Sequence, residues 1–188
     1  MGKIIFFTGG ARSGKSKFAE EYAEDLKYSD KIYIATAIVF DDEMKDRISK
    51  HIKRRGNSWT TIEIYKDLIT ETKNKIKNKN GVILFDCITN MVTNQMIMNR
   101  EIDWDKISTE EINKIEKNII DEMTKFLEFL KTTTYDTIFV TNELGMGLVP
   151  EYPLGRYFRD ICGNVNQLVA KNSDEAYLVV SGIKIKIK

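Results

Sequence analysis

Cysteine is nearly absent from this chain. Cys87 and Cys162 are the only two, far apart and without C-x-x-C or zinc-ligand spacing. That excludes a disulfide-stapled scaffold and points to reduced, packed thiols in a cytoplasmic protein. Proline is equally scarce, with two residues, while 30% of the chain is charged. This combination suits a helix-rich α/β protein. Basic and acidic residues nearly cancel, leaving a formal charge of +1. No charge excess therefore argues for nucleic acid or a membrane surface as partner. No apolar run approaches the length of a membrane span. The N-terminal run is too short for a signal-peptide core. Internal repeats, low-complexity tracts and linkers are also missing, so residues 1–188 are expected to form one domain.

What is present is an alternation of apolar strand-like runs and helical patterns. Strands are expected at Ile4–Phe7, Lys31–Thr36, Thr60–Tyr65, Val82–Asp86, Thr137–Thr141, Ala176–Ser181 and Ile183–Lys188. Helices are expected at Ser16–Leu26, Glu43–Arg54, Asp67–Lys77, Thr109–Thr132 and Leu154–Asn172. Such alternation predicts an α/β layer fold with a mostly parallel sheet. The last two strands flank Gly182 and read as an antiparallel hairpin. There Ile183, Ile185 and Ile187 alternate with lysines, which predicts one buried and one wet face. In the longest helix Ile112, Ile115, Ile119, Met123, Phe126 and Leu130 form a stripe of core residues, with Ser108 and Glu111 placed as a capping box.

One motif carries chemistry outright. Gly9-Gly10-Ala11-Arg12-Ser13-Gly14-Lys15-Ser16 fits G-x-x-x-x-G-K-[ST] between an apolar strand and a helix. The glycines let backbone N–H groups turn inward, and the helix N-terminus adds the positive end of its dipole. Lys15 is expected to reach the β- and γ-phosphates of a nucleoside triphosphate, and the Ser16 hydroxyl to join a Mg²⁺ shell. A second acid should end a buried strand. Asp86 does so after Val82-Ile83-Leu84-Phe85, at the strand end that faces the ligand crevice in open α/β sheets. It is a candidate Mg²⁺ ligand, direct or through water; alternatively it caps the following helix.

His51 is the single histidine, set among Lys50, Lys53, Arg54 and Arg55. Neighbouring cations depress an imidazole pKa and keep the ring neutral and nucleophilic near pH 7. The same cations could grip nucleotide phosphates. A solvated basic helix face is the competing reading, and the motif alone does not decide between them. Asp160-Ile161-Cys162-Gly163 imitates a GTPase D-x-x-G but lies within a helical pattern, and no N-K-x-D follows. A signalling GTPase is not expected.

Taken in order, GGARSGKS at Gly9–Ser16, Ala35-Thr36-Ala37, Asp42-Glu43-Met44 with Arg47-Ile48 and His51, Trp59-x-Thr61-x-Glu63, Asp86-Cys87-Ile88-Thr89, Thr141–Pro150, Arg156, Phe158-Arg159-Asp160 and Asn166-Gln167 share a pattern. The chain resembles the bifunctional adenosylcobinamide kinase / adenosylcobinamide-phosphate guanylyltransferase family of cobalamin biosynthesis. The resemblance spans essentially the whole chain and is weakest over residues 97–131.

That resemblance implies a RecA-like P-loop fold and two activities. Adenosylcobinamide is phosphorylated with ATP or GTP; GMP from GTP then passes through a covalent guanylyl-histidine to the new phosphate, giving adenosylcobinamide-GDP. It implies His51 as the guanylylated residue, with Lys53, Arg54 and Arg55 against the nucleotide. It implies that Ala35, Thr36 and Ala37 bind nucleotide, that Glu63 touches the guanine base, and that the enzyme is a homotrimer with its site between subunits. A neutral imidazole suits this role, being both nucleophile and fair leaving group. Two other readings compete: a P-loop small-molecule kinase with a structural His51, and a RecA-like ATP-dependent nucleic-acid-binding module. Against the latter stand the near-neutral charge and the lack of basic-aromatic clusters.

Overall fold

The computed structural model describes residues 1–38, 58–98 and 101–188. Seven strands form one sheet in the order β3-β2-β4-β5-β1-β6-β7. They are β1 (Ile4–Gly9), β2 (Lys31–Ala35), β3 (Thr60–Glu63), β4 (Val82–Asp86), β5 (Asp136–Asn142), β6 (Glu175–Val180) and β7 (Ile183–Lys186). All pair in parallel except β6 with β7. Among the described residues the helices are α1 (Lys15–Asp25), α2 (Leu68–Lys75), α3 (Ile88–Ile97), α4 (Thr109–Lys131) and α5 (Pro153–Asn172). Most expected elements are found within two residues of their sequence bounds; the expected helix Glu43–Arg54 lies outside the described residues.

The central strands are buried along almost their whole length, because a parallel sheet is covered on both faces and needs continuous apolar runs. One face carries Phe6, Ile34, Phe85 and Phe139 against α3, α4 and α5. The other carries Phe7, Tyr33, Leu84 and Val140, with Ala19 and Ala23 of α1 packed on it. The expected stripe of α4 is wholly buried. The Ser108 hydroxyl accepts from the Glu111 N–H at 3.1 Å, and Glu110 and Glu111 add negative charge at the dipole's positive end.

Two findings depart from the sequence reading. Helix α3 is not among the expected elements, although Ile88, Met91, Val92 and Met96 recur at helical spacing and are all buried. The alternating C-terminal strand is also corrected. Ile183, Ile185 and Ile187 are 64%, 47% and 58% exposed. It is the lysine side that meets protein, since Lys184 Nζ lies 5.5 Å from the Phe18 ring centroid and 5.3 Å from that of Tyr177. β7 is the last strand, and among the described residues nothing covers its isoleucine face. Ser181 and Gly182 both take positive φ, giving the tight turn expected before it.

Candidate functional site: the C-terminal edge of the sheet

Parallel strands present one common end, and the register shows which residues share it. Glu63, Ala35 and Asp86 lie on one rung across β3, β2 and β4. Gly9 is level with Asn142 of β5. β1, which leads into the phosphate loop, and β4, which ends in the acid, are therefore separated by a single strand, β5. The loop and the carboxylate open onto the same edge.

The phosphate loop is built tightly. An added Cβ on Gly9 would lie 2.3 Å from the Val179 carbonyl oxygen, so only glycine lets β1 pass so close to β6. Gly14 has φ 99°, a left-handed conformation that starts α1 without a side-chain cap. No acidic residue occupies the first turn of α1, so its positive dipole end is left for an anion. Ser13 N–H donates to the Gly10 carbonyl at 3.2 Å, and Gly182 N–H donates to the Ser13 carbonyl at 2.9 Å. The hairpin turn thus backs the loop from behind. The Ser13 hydroxyl is buried and has no hydrogen-bond partner among the described residues. Lys15 is 9% exposed, and its ammonium donates to the Gly10 carbonyl at 3.2 Å, folded back over its own loop.

The carboxylate is braced as well. Tyr33 donates its phenol O–H to Asp86 Oδ2 at 2.9 Å. Thr36 fixes the residue after the acid from both sides. Its hydroxyl donates to the Cys87 carbonyl at 2.6 Å and accepts from the Cys87 N–H at 2.8 Å. Asn94 of α3 donates to the Thr36 carbonyl at 2.7 Å, tying β2 to α3. Burial, with the Asp86 carboxylate adding to it, pushes the Cys87 thiol up to about 12, whereas Lys15 acts in the opposite sense. Cys162 is also held far above its usual range, chiefly by burial. Both thiols are packed and protonated at neutral pH.

On the other side of the loop, Thr89, Thr141 and Asn166 interlock. The two threonine hydroxyls are 3.2 Å apart, and Thr141 Oγ1 donates to Asn166 Oδ1 at 2.8 Å. Asn142 N–H donates to Thr89 Oγ1 at 2.8 Å, and Glu143 N–H reaches the Gly9 carbonyl at 3.0 Å. This network holds the end of β5 against α3, α5 and the phosphate loop.

Of the residues expected from sequence, Gly9, Gly10, Ala11, Arg12, Ser13, Gly14, Lys15 and Ser16 form one loop, with Asp86 one strand beyond β5. Ala35 and Thr36 end β2 beside Asp86, and Ala37 follows them. Thr36 is 1% exposed and spends its hydroxyl on backbone. Glu63 stands exposed on the edge strand β3, four strands from the phosphate loop. At about 4.8 Å per strand that is roughly 19 Å. His51, Lys53, Arg54 and Arg55 lie outside the described residues. Tyr33, Asn94 and Asn166 were not singled out for their contacts. Their roles depend on register and helix packing, and no local spacing announces them.

The donor types fit Mg²⁺: Ser16 offers a hydroxyl and Asp86 a carboxylate, both hard oxygen ligands. Among the described residues no group of three His, Cys, Asp or Glu is arranged to hold a metal by itself.

Comparison with known proteins sharpens this picture. The chain is 42% identical over 186 residues to the bifunctional adenosylcobalamin biosynthesis protein CobU of Escherichia coli K12, covering 98% of this chain and 99% of that one. It is 41% identical over 189 residues to CobU of Salmonella typhimurium, with the same shares covered. To CobP of Pseudomonas aeruginosa it is 31% identical over 180 residues, covering 96% and 94%. A crystal structure of the flagellar accessory protein FlaH from Methanocaldococcus jannaschii aligns with a TM-score of 0.50 at 15% identity, covering 99% of this chain and 78% of that one. That likeness concerns the fold alone, and it agrees with the RecA-like α/β arrangement expected from sequence. A family model described as "Cobinamide kinase / cobinamide phosphate guanyltransferase" matches residues 5–187. The chain belongs to this family, CobU, and is an enzyme that joins kinase and nucleotidyltransferase activities.

Proposed function

We propose that this protein phosphorylates the hydroxyl of adenosylcobinamide and then converts the product to adenosylcobinamide-GDP through a guanylyl group carried on His51. The observation that carries the reading is the shared edge itself. A braced phosphate loop and a braced carboxylate open side by side in a chain matching the family from end to end.

In the kinase step the acceptor oxygen attacks the γ-phosphorus, loses its proton, and the nucleoside diphosphate departs. Gly9–Ser16 hold the triphosphate by backbone N–H groups and the α1 dipole, and Lys15 unfolds from the Gly10 carbonyl to neutralise the β- and γ-oxygens. Ser16 and Asp86 hold Mg²⁺, which when bound screens charge on the phosphates. The Tyr33 O–H donates to Oδ2 of Asp86 and so fixes the carboxylate's orientation.

In the transferase step a ring nitrogen of His51 attacks the α-phosphorus of GTP. The bond to the β-phosphate oxygen breaks, and pyrophosphate leaves. A phosphate oxygen of adenosylcobinamide phosphate then attacks the same phosphorus, the P–N bond breaks, and the imidazole is regenerated. Lys53, Arg54 and Arg55 steady the departing charge, and Ala35, Ala37 and Glu63 contact the nucleoside. The roughly 19 Å between Glu63 and the phosphate loop is spanned by a nucleotide lying along the row of strand ends, or by a partner subunit in the homotrimer. Location in the cytoplasm accords with a soluble donor and with two reduced thiols.

Purified protein incubated with adenosylcobinamide, Mg²⁺ and GTP labelled in turn at the γ- and α-phosphate tests the reading. Both labels should appear on the corrinoid, the γ-label first. Transfer of the γ-label alone would leave the simple kinase, and transfer of neither would remove the proposal.

A further inference from the structure

We propose that the loop between β5 and α5, residues 143–152, is the corrinoid-docking surface, with Met146, Leu148 and Val149 packing on the methyl-rich rim of the macrocycle. The inference rests on the function proposed above. Large apolar side chains are exposed here to an unusual degree. Met146 is 80%, Leu148 97%, Val149 66% and Tyr152 63% exposed. Such a cluster costs solubility unless something covers it.

Its backbone is nevertheless held. Glu143 accepts from the N–H groups of Gly145 at 2.8 Å and Met146 at 3.0 Å. Two arginines of α5 grip the loop's carbonyls: Arg159 Nη2 donates to Gly145 at 2.7 Å, and Arg156 Nη1 to Pro150 at 3.2 Å. Polar groups thus fix the backbone while the apolar side chains stay outside, a preorganised contact surface rather than a loose one.

Position selects the occupant. Glu143 N–H bonds to the carbonyl of Gly9, the first residue of the phosphate loop. Met146 is three residues on, within about 10 Å of chain. An acceptor hydroxyl must lie in line with the γ-phosphate, so the rest of the acceptor must rest on whatever rims that loop. A corrin ring is broad, methylated and edged by neutral amide arms, and its rim matches the exposed apolar side chains of Met146, Leu148 and Val149. The other exposed apolar set, on β7, starts beside the phosphate loop at Ile183 but runs back along the sheet, away from the strand ends.

The test is equilibrium binding of dicyanocobinamide to the full chain in the presence of a non-hydrolysable GTP analogue. The double variant Met146→Ser/Leu148→Ser should bind the corrinoid about tenfold or more weakly. Its affinity for the GTP analogue and its sedimentation should match the wild type. Ile185→Ser should bind the corrinoid as the wild type does. Unchanged corrinoid affinity in the double variant would overturn the proposal. So would a changed association state, which would make the loop a contact between copies, or a loss of affinity in Ile185→Ser. If the wild-type protein binds the GTP analogue but no corrinoid, it is the functional reading that fails, and this inference with it.

Discussion

Lys15 folds its ammonium onto the Gly10 carbonyl, one residue from the start of the loop it serves. In this pose it satisfies one acceptor and is poised to exchange it for phosphate oxygens. Lys15→Ala should therefore abolish measurable GTP-analogue binding or phosphoryl transfer while leaving thermal stability nearly unchanged; binding at wild-type affinity would contradict the role given to the loop. Asp86 and Tyr33 make a second residue-scale pair. The phenol donates to Oδ2 at 2.9 Å and so fixes the carboxylate's orientation. Tyr33→Phe keeps the ring and removes the hydroxyl that holds Asp86, and it should weaken Mn²⁺ binding to the protein–GTP-analogue complex by several-fold, a shift readable by electron paramagnetic resonance without turnover. Mn²⁺ affinity equal to wild type would show that the phenol does not position the carboxylate. The phosphate loop and Asp86 were legible in sequence because each is a local pattern, glycines at fixed offsets and an acid after four apolar residues. The Tyr33 contact was not, because it arises from the pairing of β2 with β4.

Among the elements, α4 shows how a periodic stripe becomes stability. Phe126 is fully buried, with its ring 6.0 Å from Phe85 and 6.3 Å from Phe139. Phe126→Ala should cost about 3–5 kcal/mol in denaturant unfolding. A loss below about 1 kcal/mol would mean that α4 does not pack on β4 and β5 as described. The stripe was readable because helical periodicity and burial coincide there. β7 was misread for a complementary reason. Alternation reveals that two faces differ, but not which of them has α1 beneath it, and here the lysines lie over Phe18 and Tyr177. The start of β6 adds a pH dependence. Tyr177 donates to Glu175 at 2.6 Å, and Lys186 and Lys3 add to it, holding the carboxylate down at about 2 against a usual 4.5. A depressed acid contributes stability that is fully present above its unfolded pKa and disappears as pH falls from about 4.5 towards 2. The melting temperature of wild type should exceed that of Glu175→Gln at pH 7, and the gap should close across that window. A gap independent of pH would place the contribution in packing instead.

The strands of the described residues form a single sheet whose C-terminal edge gathers the ends of β1, β2, β4 and β5. No helix among the described residues is long and apolar enough to cross a membrane. The fold class was legible because strands and helices alternate along the chain. The relation of Glu63 to the phosphate loop was not, since it depends on β3 pairing at the outer side of β2. The proposed chemistry goes further: one chain carries both phosphoryl transfer and guanylyl transfer, with His51 proposed as the covalent carrier of the guanylyl group. Mixing the protein with Mg²⁺ and GTP labelled at the α-phosphate, without acceptor, and separating it under denaturing conditions tests this most directly. The account predicts an acid-labile, base-stable label on the wild-type chain that is absent from His51→Ala. A label retained in His51→Ala, or no label on a wild-type chain that still transfers the γ-phosphate, would contradict it.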